Sequence, residues 1–213
     1  MKRYVFILLV LIIFILLSWT IYSYIAFKYY SVSNNDYNIK IDRPIVKYKK
    51  LDKEIDKKIN SYVKEFKKDI IDTDIPSKYT NTLIIYYKEY DSVKYLSYVF
   101  FTEIFTGGAH PSHDIWTINY DKDKNKIINI GDLIKEDNNI LNRLSMISRK
   151  KLVYNKRVVD TNMLNSGTIP IQNNFSNFIL TDNDIIIYFK EYQIAPYSSS
   201  YFELNISLKE LNL

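Results

Sequence analysis

The chain has no cysteine, and that absence removes disulfides, thiol catalysis, thiolate metal centres and a lipid-modified N-terminal cysteine together. Four glycines and five prolines in 213 residues exclude a collagen-like chain and leave few places where the backbone is granted unusual freedom. Histidine is scarcer still, with two in the whole chain, so any imidazole chemistry must sit at His110 or His113. No P-loop and no dinucleotide fingerprint occurs, and Ser112 lacks the flanks of a G-x-S-x-G elbow. No long block of Lys and Arg appears. Lys49-Lys50 and Lys150-Lys151 are the densest basic spots, so nucleic acid is not an expected partner.

The residues present point to a single folded body. An apolar share of 47% over 213 residues can bury one sizeable core, and a charged share of 25% excludes a disordered polar chain. The net charge of +5 includes Lys2 and Arg3, which precede the first apolar stretch. The remainder is therefore only mildly basic. Isoleucine, lysine, asparagine and tyrosine are all heavily used, so the 20 tyrosines by themselves do not indicate a carbohydrate surface.

Residues 4–27 contain no charge, and as a helix they would extend about 36 Å, enough to cross a hydrocarbon core of about 30 Å with some tilt. Trp19, Tyr22, Tyr24, Tyr29 and Tyr30 crowd the far end, where amphipathic rings favour the headgroup region. This segment is predicted to be an uncleaved single-pass anchor. Lys2 and Arg3 flank it on one side, while residues 29–39 carry no Lys or Arg, so the N-terminus is expected inside. The expected plan is a cytoplasmic end at 1–3, an anchor at 4–27, a stalk at 28–36 and an extracytoplasmic domain at 37–213.

Within that domain, Leu51, Ile55, Ile59, Tyr62, Val63, Phe66 and Ile70 recur at helical spacing, with Asp52 as candidate cap and Glu54–Lys58 as candidate ion pair. Residues 37–48, interrupted by Pro44, suit an edge strand. Residues 80–90 and 93–105 read as a hairpin, 114–120 as a third strand, and 127–130 as a short return. A second helix spans about 138–154 with Ile140, Leu141, Leu144, Ile147 and Leu152 buried. Residues 155–174 read as an irregular connection; 175–180, 185–192 and 201–208 read as strands. This order predicts an α+β domain in which an antiparallel sheet carries two main helices packed on one face, preceded by the transmembrane helix.

Chemistry concentrates in Thr106-Gly107-Gly108-Ala109-His110-Pro111-Ser112-His113-Asp114, which holds both histidines and half of the glycines. Paired glycines permit positive φ, and Pro111 pushes His110 toward an extended conformation. Three readings stand side by side: a rigid connector, a binding loop, and a weak metal site from His110, His113 and Asp114, with Glu103 as a further ligand. The acid pairs Asp121/Asp123 and Asp182/Asp184 fall in turn contexts. A second stretch, Glu191 to Ser200, leaves a strand with Tyr192, Pro196 and Tyr197 as amphipathic contacts.

The order of a strand, TGGAHP at 106–111, a further strand and helix, then LTDNDIIIYFKEYQIAPYSSS at 180–200 and a closing strand resembles the extracytoplasmic domain of RsiV-type anti-sigma factors. Related domains occur in the N-terminal part of PdaC-type peptidoglycan deacetylases. The resemblance covers 37–213 and implies an α+β fold outside the membrane with an envelope role; RsiV-type members bind lysozyme. Three departures bound it. Only Met1 to Arg3 precede the apolar segment and no deacetylase domain follows Leu213, so sigma-factor control and deacetylation are not expected here. Ser200 stands where relatives usually have glycine. The expected function is a non-catalytic, membrane-anchored envelope protein recognising lysozyme or peptidoglycan through Thr106, Gly107, Gly108, His110, Pro111, Tyr192, Pro196 and Tyr197, with no cofactor. The alternative is a metal-dependent or wall-active enzyme centred on His110, His113 and Asp114.

Overall fold

The structure, a computed structural model, describes residues 10–17, 29–34, 36–72 and 80–212. Among them no helix is long and apolar enough to cross a membrane. Residues 10–17 are helical and apolar, and their side chains are exposed; the rest of the expected anchor at 4–27 lies outside the described residues.

Six strands form the larger sheet: β1 (Tyr29–Ser33), β2 (Tyr37–Asp42), β3 (Asn81–Asp91), β4 (Tyr95–Phe105), β5 (Ser112–Asp121) and β6 (Lys126–Ile128), side by side in chain order. Residues 29–33, assigned from sequence to a stalk, are thus the edge strand. The Asn34 side chain accepts from the Asp36 and Tyr37 amides at 2.9 and 2.8 Å and turns the chain back into β2. β2 is consequently internal. It pairs parallel with β3, the one parallel ladder of the sheet, because the helix α1 (Lys49–Asp72) supplies the crossover that parallel neighbours need. The sheet is otherwise antiparallel, as the element order predicts, and this one pair is the departure.

α1 buries its apolar stripe as its spacing predicts. Leu51, Ile55, Ile59, Tyr62 and Phe66 pack on Ile39, Leu83, Ile85, Tyr98, Phe100 and Trp116, with the Phe100 and Trp116 rings 3.8 Å apart and nearly parallel. Removing any one of these large side chains costs about 2–5 kcal/mol through lost burial and the cavity left behind. Asp52 does not cap this helix, being its fourth residue. Its carboxylate instead takes the buried Arg43 guanidinium at 2.5 Å while Asp56 takes the same group at 2.7 Å, which ties α1 to the end of β2. Glu54 pairs with Lys57 at 3.8 Å rather than with Lys58.

The second half builds a separate small sheet, β7 (Phe178–Leu180), β8 (Asp184–Phe189) and β9 (Phe202–Ser207), all antiparallel. One face lies on the larger sheet through Ile179, Ile186 and Tyr188 against Val99, Phe101 and Ile115. The other face holds Phe178, Leu180, Ile185, Ile187 and Phe189 against Ile140, Leu144, Ile147 and Leu152 of a helix, α3 (Ile140–Leu152). The two main helices therefore lie on opposite outer faces of a helix–sheet–sheet–helix stack, not together on one face. The reason is β4. Val99 and Phe101 on its second face are as buried as Tyr98 and Phe100 on its first, so both sides of the larger sheet require cover.

β7 pairs with β8 on one edge only, and the larger sheet's side chains satisfy the other. Asn119 Nδ2 donates to the Phe178 carbonyl at 2.9 Å, Asn119 Oδ1 accepts from the Leu180 amide at 2.7 Å, Ser97 Oγ donates to the Leu180 carbonyl at 3.0 Å, and Thr117 Oγ1 accepts from the Phe178 amide at 3.0 Å. Asp182, in the β7–β8 turn, accepts from the Val93 and Lys94 amides at 2.8 and 2.9 Å and joins the two sheets at one end. The chain linking the two sheets also forms α2 (Ile130–Glu136), opened by a reciprocal Asn129/Asp132 cap, and α4 (Thr161–Gly167), capped by Asp160, and both join the cluster on the small sheet's outer face. The latter, with a 3₁₀ turn at Gln172–Phe175, orders a stretch that the polar sequence presents as irregular.

Candidate functional site

The loop joining β4 to β5 takes the shape its composition requires. Gly107 and Gly108 have φ of +102° and +106°, with no atom near the position of an added Cβ, so backbone conformation alone demands glycine. This projects the exposed His110 over the end of the larger sheet, where its Nδ1–H donates to the Pro111 carbonyl at 2.9 Å. Thr106, at the base of the loop, is half-buried.

The second loop meets it there. After β8 the chain turns through Tyr192 at φ +62°, a conformation that a bulky side chain adopts only when its surroundings hold it. Gln193 does the holding. Its Nε2 donates to the Gly167 and Asn174 carbonyls at 3.0 Å each and its Oε1 accepts from the Lys190 amide at 3.1 Å. Pro196 then leads into a short 3₁₀ turn at Tyr197–Ser199, which presents the Tyr197 ring flat against His110, 4.2 Å between centroids and 27° between planes. The Tyr197 hydroxyl reaches the Pro111 carbonyl at 3.3 Å, and the exposed Tyr192 ring stands 5.8 Å away. Partial burial, then the neighbouring Glu191, raise the Tyr197 phenol above its ordinary pKa, so it is a neutral donor. Two stretches some 80 residues apart form one surface, with His110, Pro111, Tyr192, Pro196 and Tyr197 on it.

Beneath this surface lies a cleft of about 150 Å³. Its aromatic side is Tyr86, Phe101 and Tyr201. Tyr86 stacks on Phe101 at 5.0 Å and 17°, and Tyr201 adjoins Phe101 at 5.2 Å. Its polar side begins with His113, whose Nδ1–H donates to Glu191 at 3.1 Å while Nε2 faces Glu103 at 3.7 Å. Asp114 accepts from the Tyr62 hydroxyl at 2.5 Å and pairs with Lys190 at 2.6 Å. Burial and then the Asp114 hydrogen bond keep the Tyr62 phenol protonated far above its usual range.

These contacts separate the three residues proposed as metal ligands. His110 is committed to Pro111 and Tyr197, His113 to glutamates, and Asp114 to Tyr62 and Lys190; among the described residues no three His, Asp or Glu side chains converge as a metal site. The neighbours His113 and Asp114 diverge because side chains alternate along β5. Sequence reasoning missed Tyr86, Tyr201, Lys190 and the part played by Glu191. Strand register carries the available signal: Glu103 lies directly opposite His113, so a hairpin centred on TGGAHP places them together.

Fold and site thus define a class, a two-sheet α+β domain that presents two contiguous loops over a mixed aromatic and charged cleft. Residues 31–113 match the family described as Deacetylase PdaC, and residues 131–209 match that described as Protein of unknown function (DUF3298). The chain carries both of these domains. It is 33% identical over 164 residues, 75% of its length, to the peptidoglycan-N-acetylmuramic acid deacetylase PdaC of Bacillus subtilis (strain 168), and the match spans 35% of that protein. The fold resembles the crystal structure of a DUF3298 family protein from Pseudomonas aeruginosa PAO1, with TM-score 0.64 at 18% identity over 86% of this chain and 91% of that one. A DUF3298 member from Bacteroides fragilis NCTC 9343 gives TM-score 0.56 at 19% identity over 86% and 90%. The TGGAHP loop falls in the first matched region and the Tyr192 loop in the second, so the site forms where the two meet.

Proposed function

We propose that this chain is a non-catalytic, membrane-anchored binding protein of the cell envelope, with its 37–213 domain on the outer side. Its ligand is peptidoglycan or a protein that acts on peptidoglycan, lysozyme being the case the family resemblance suggests. One observation carries the reading: Tyr197 stacks on His110 and hydrogen-bonds to Pro111, so two distant loops are held as one preformed, exposed aromatic surface. A preformed surface loses little entropy on binding. Anchoring is supported by the uncharged run at 4–27 and by the eight exposed apolar side chains of residues 10–17, which make a patch that water does not tolerate without cover. The wall as the source of ligand is supported by the name of the Bacillus subtilis relative.

The test is retention of the purified chain on insoluble peptidoglycan and on immobilised lysozyme. The chain should bind at least one of them, and Tyr197→Ala or His110→Ala should weaken retention at least tenfold. Retention unchanged in both variants would refute the surface.

A second reading has its own support. The largely covered Glu191 carboxylate on His113 Nδ1–H is the pairing that orients an imidazole for acid–base work, and the Bacillus subtilis relative is named a deacetylase. On this reading the chain releases acetate or cleaves wall fragments, and His113→Ala abolishes turnover while retention survives. No turnover by the unaltered chain would end it.

A further inference from the structure

The cleft below the two loops has a composition that the loop surface does not explain. Tyr86 lies on the buried Phe101 yet stays 47% exposed, so one face of its ring is offered to solvent, and Tyr201, inclined 46° to Phe101, walls the cleft beside it. An exposed aromatic face beside a small cleft suits the apolar C–H face of a pyranose ring, whose hydroxyls then need polar partners at the rim. The rim supplies them, but with an imbalance. Asp114 is neutralised by Lys190 at 2.6 Å. Glu103 and Glu191 share the single imidazole of His113, so the rim is negative whether or not that ring is protonated. Lys88, over the Phe101 ring at 5.5 Å, is balanced by Glu203 at 3.9 Å and leaves the excess in place.

The two glutamates differ in availability. The Glu191 side chain is only 10% exposed and spends its hydrogen bond on His113, whereas Glu103 is 37% exposed and stands 3.7 Å from Nε2, beyond hydrogen-bond reach. Glu103 is therefore the carboxylate with lone pairs facing the opening. A neutral acetamide offers that carboxylate a single N–H, while an ammonium brings three donors and a full opposite charge.

We propose that the cleft is a subsite for a hexosamine bearing a free amine, with its ring on Tyr86 and Tyr201 and its ammonium on Glu103. This rests on the envelope reading above and narrows its ligand to the de-N-acetylated glycan of the wall. The net positive charge of the whole chain argues that such a preference is local, since a non-specific polycation would be repelled.

The purified full chain is titrated calorimetrically with a glucosamine tetramer, an N-acetylglucosamine tetramer and tetralysine. The free-amine sugar should bind at least tenfold more tightly than the acetylated one, with a gap that narrows as salt rises. Glu103→Gln should bring the two sugars within about threefold of each other, and Tyr86→Ala should weaken both. Equal affinities in the unaltered chain, an undiminished preference in Glu103→Gln, or tetralysine binding as tightly as the amine sugar would each overturn the subsite. Thermal unfolding of the variants within about 2 °C of the parent excludes misfolding as the cause. If wall or lysozyme retention depends on Tyr197 but no amine preference is seen, the subsite fails and the two-loop surface stands; the reverse pattern rejects the loop surface and keeps the subsite.

Discussion

Ser200 closes the Tyr197 loop with φ +58° and ψ −160°, a backbone conformation that essentially only glycine adopts without strain. Holding a Cβ there costs on the order of 1–3 kcal/mol. Its side chain has little to offer in return, being exposed, and the 2.9 Å bond from its amide to the Tyr197 carbonyl belongs to the backbone. Ser200→Gly relieves the strain but adds freedom to the unfolded chain, a loss of roughly 0.5–1 kcal/mol. The net expectation is stabilisation by about 0.5–2 kcal/mol. For a domain of this size that corresponds to a rise in Tm of roughly 1–8 °C, measurable by calorimetry or by circular dichroism on heating. Ser200→Ala is the control, because it removes the hydroxyl and keeps the Cβ. It should leave Tm unchanged within about 1 °C. A fall in Tm for Ser200→Gly, or an equal rise for both variants, would refute the strain argument.

Three further outcomes are expected. Asn119→Ala orphans the Phe178 carbonyl and the Leu180 amide in a dry interface, so urea unfolding should show a loss of about 2–5 kcal/mol and the Leu180 amide should exchange faster. Gly167→Ala places a methyl group 2.0 Å from the Gln193 carbonyl oxygen; a cost of about 1–3 kcal/mol, with weakened wall or lysozyme retention as the Tyr192 loop shifts, is expected from unfolding and pull-down. Acid should loosen the junction of the sheets. The Lys94 amide first, then the Val93 amide, hold the Asp182 carboxyl below its ordinary pKa, and a depressed carboxylate stabilises above its unfolded pKa and ceases to as pH falls through the folded one. Stability should therefore decline below the usual carboxylate range, and Asp182→Asn should flatten that part of the profile in a pH series of thermal unfolding; an identical profile contradicts the clasp.

The local elements were legible wherever side-chain periodicity was strong. The stripe from Leu51 to Ile70 announces α1, and the alternation Leu96, Tyr98, Phe100 announces one face of β4, because burial on one side imposes a period of 3.6 or 2 on the apolar residues. Less legible was what covers the second face of β4. Val99 and Phe101 say that it is buried, but a strand apolar on both sides is silent about whether a helix or another sheet lies there. Residues 29–33 were hidden for the opposite reason: an edge strand of mixed polarity, Tyr-Tyr-Ser-Val-Ser, has no periodic signature, and its pairing depends on the Asn34 turn.

At the site, the unusual composition of TGGAHP and the Tyr192–Ser200 stretch was visible in the sequence, since paired glycines beside a histidine and a proline restrict backbone shape locally. Their meeting was not. Tyr197 reaches His110 only because the small sheet docks on the larger one, with Asn119, Ser97 and Thr117 binding the free edge of β7 and Gln193 holding the loop to α4. The sequence by itself determined the strongly periodic elements and the composition of the two loops, both of which depend on neighbours a few residues away. The tertiary structure alone decided that both loops share one surface, that His113 faces glutamates while Asp114 turns to Tyr62, and that an aromatic cleft opens below, because each of those contacts joins residues distant along the chain whose approach is set by how two sheets pack.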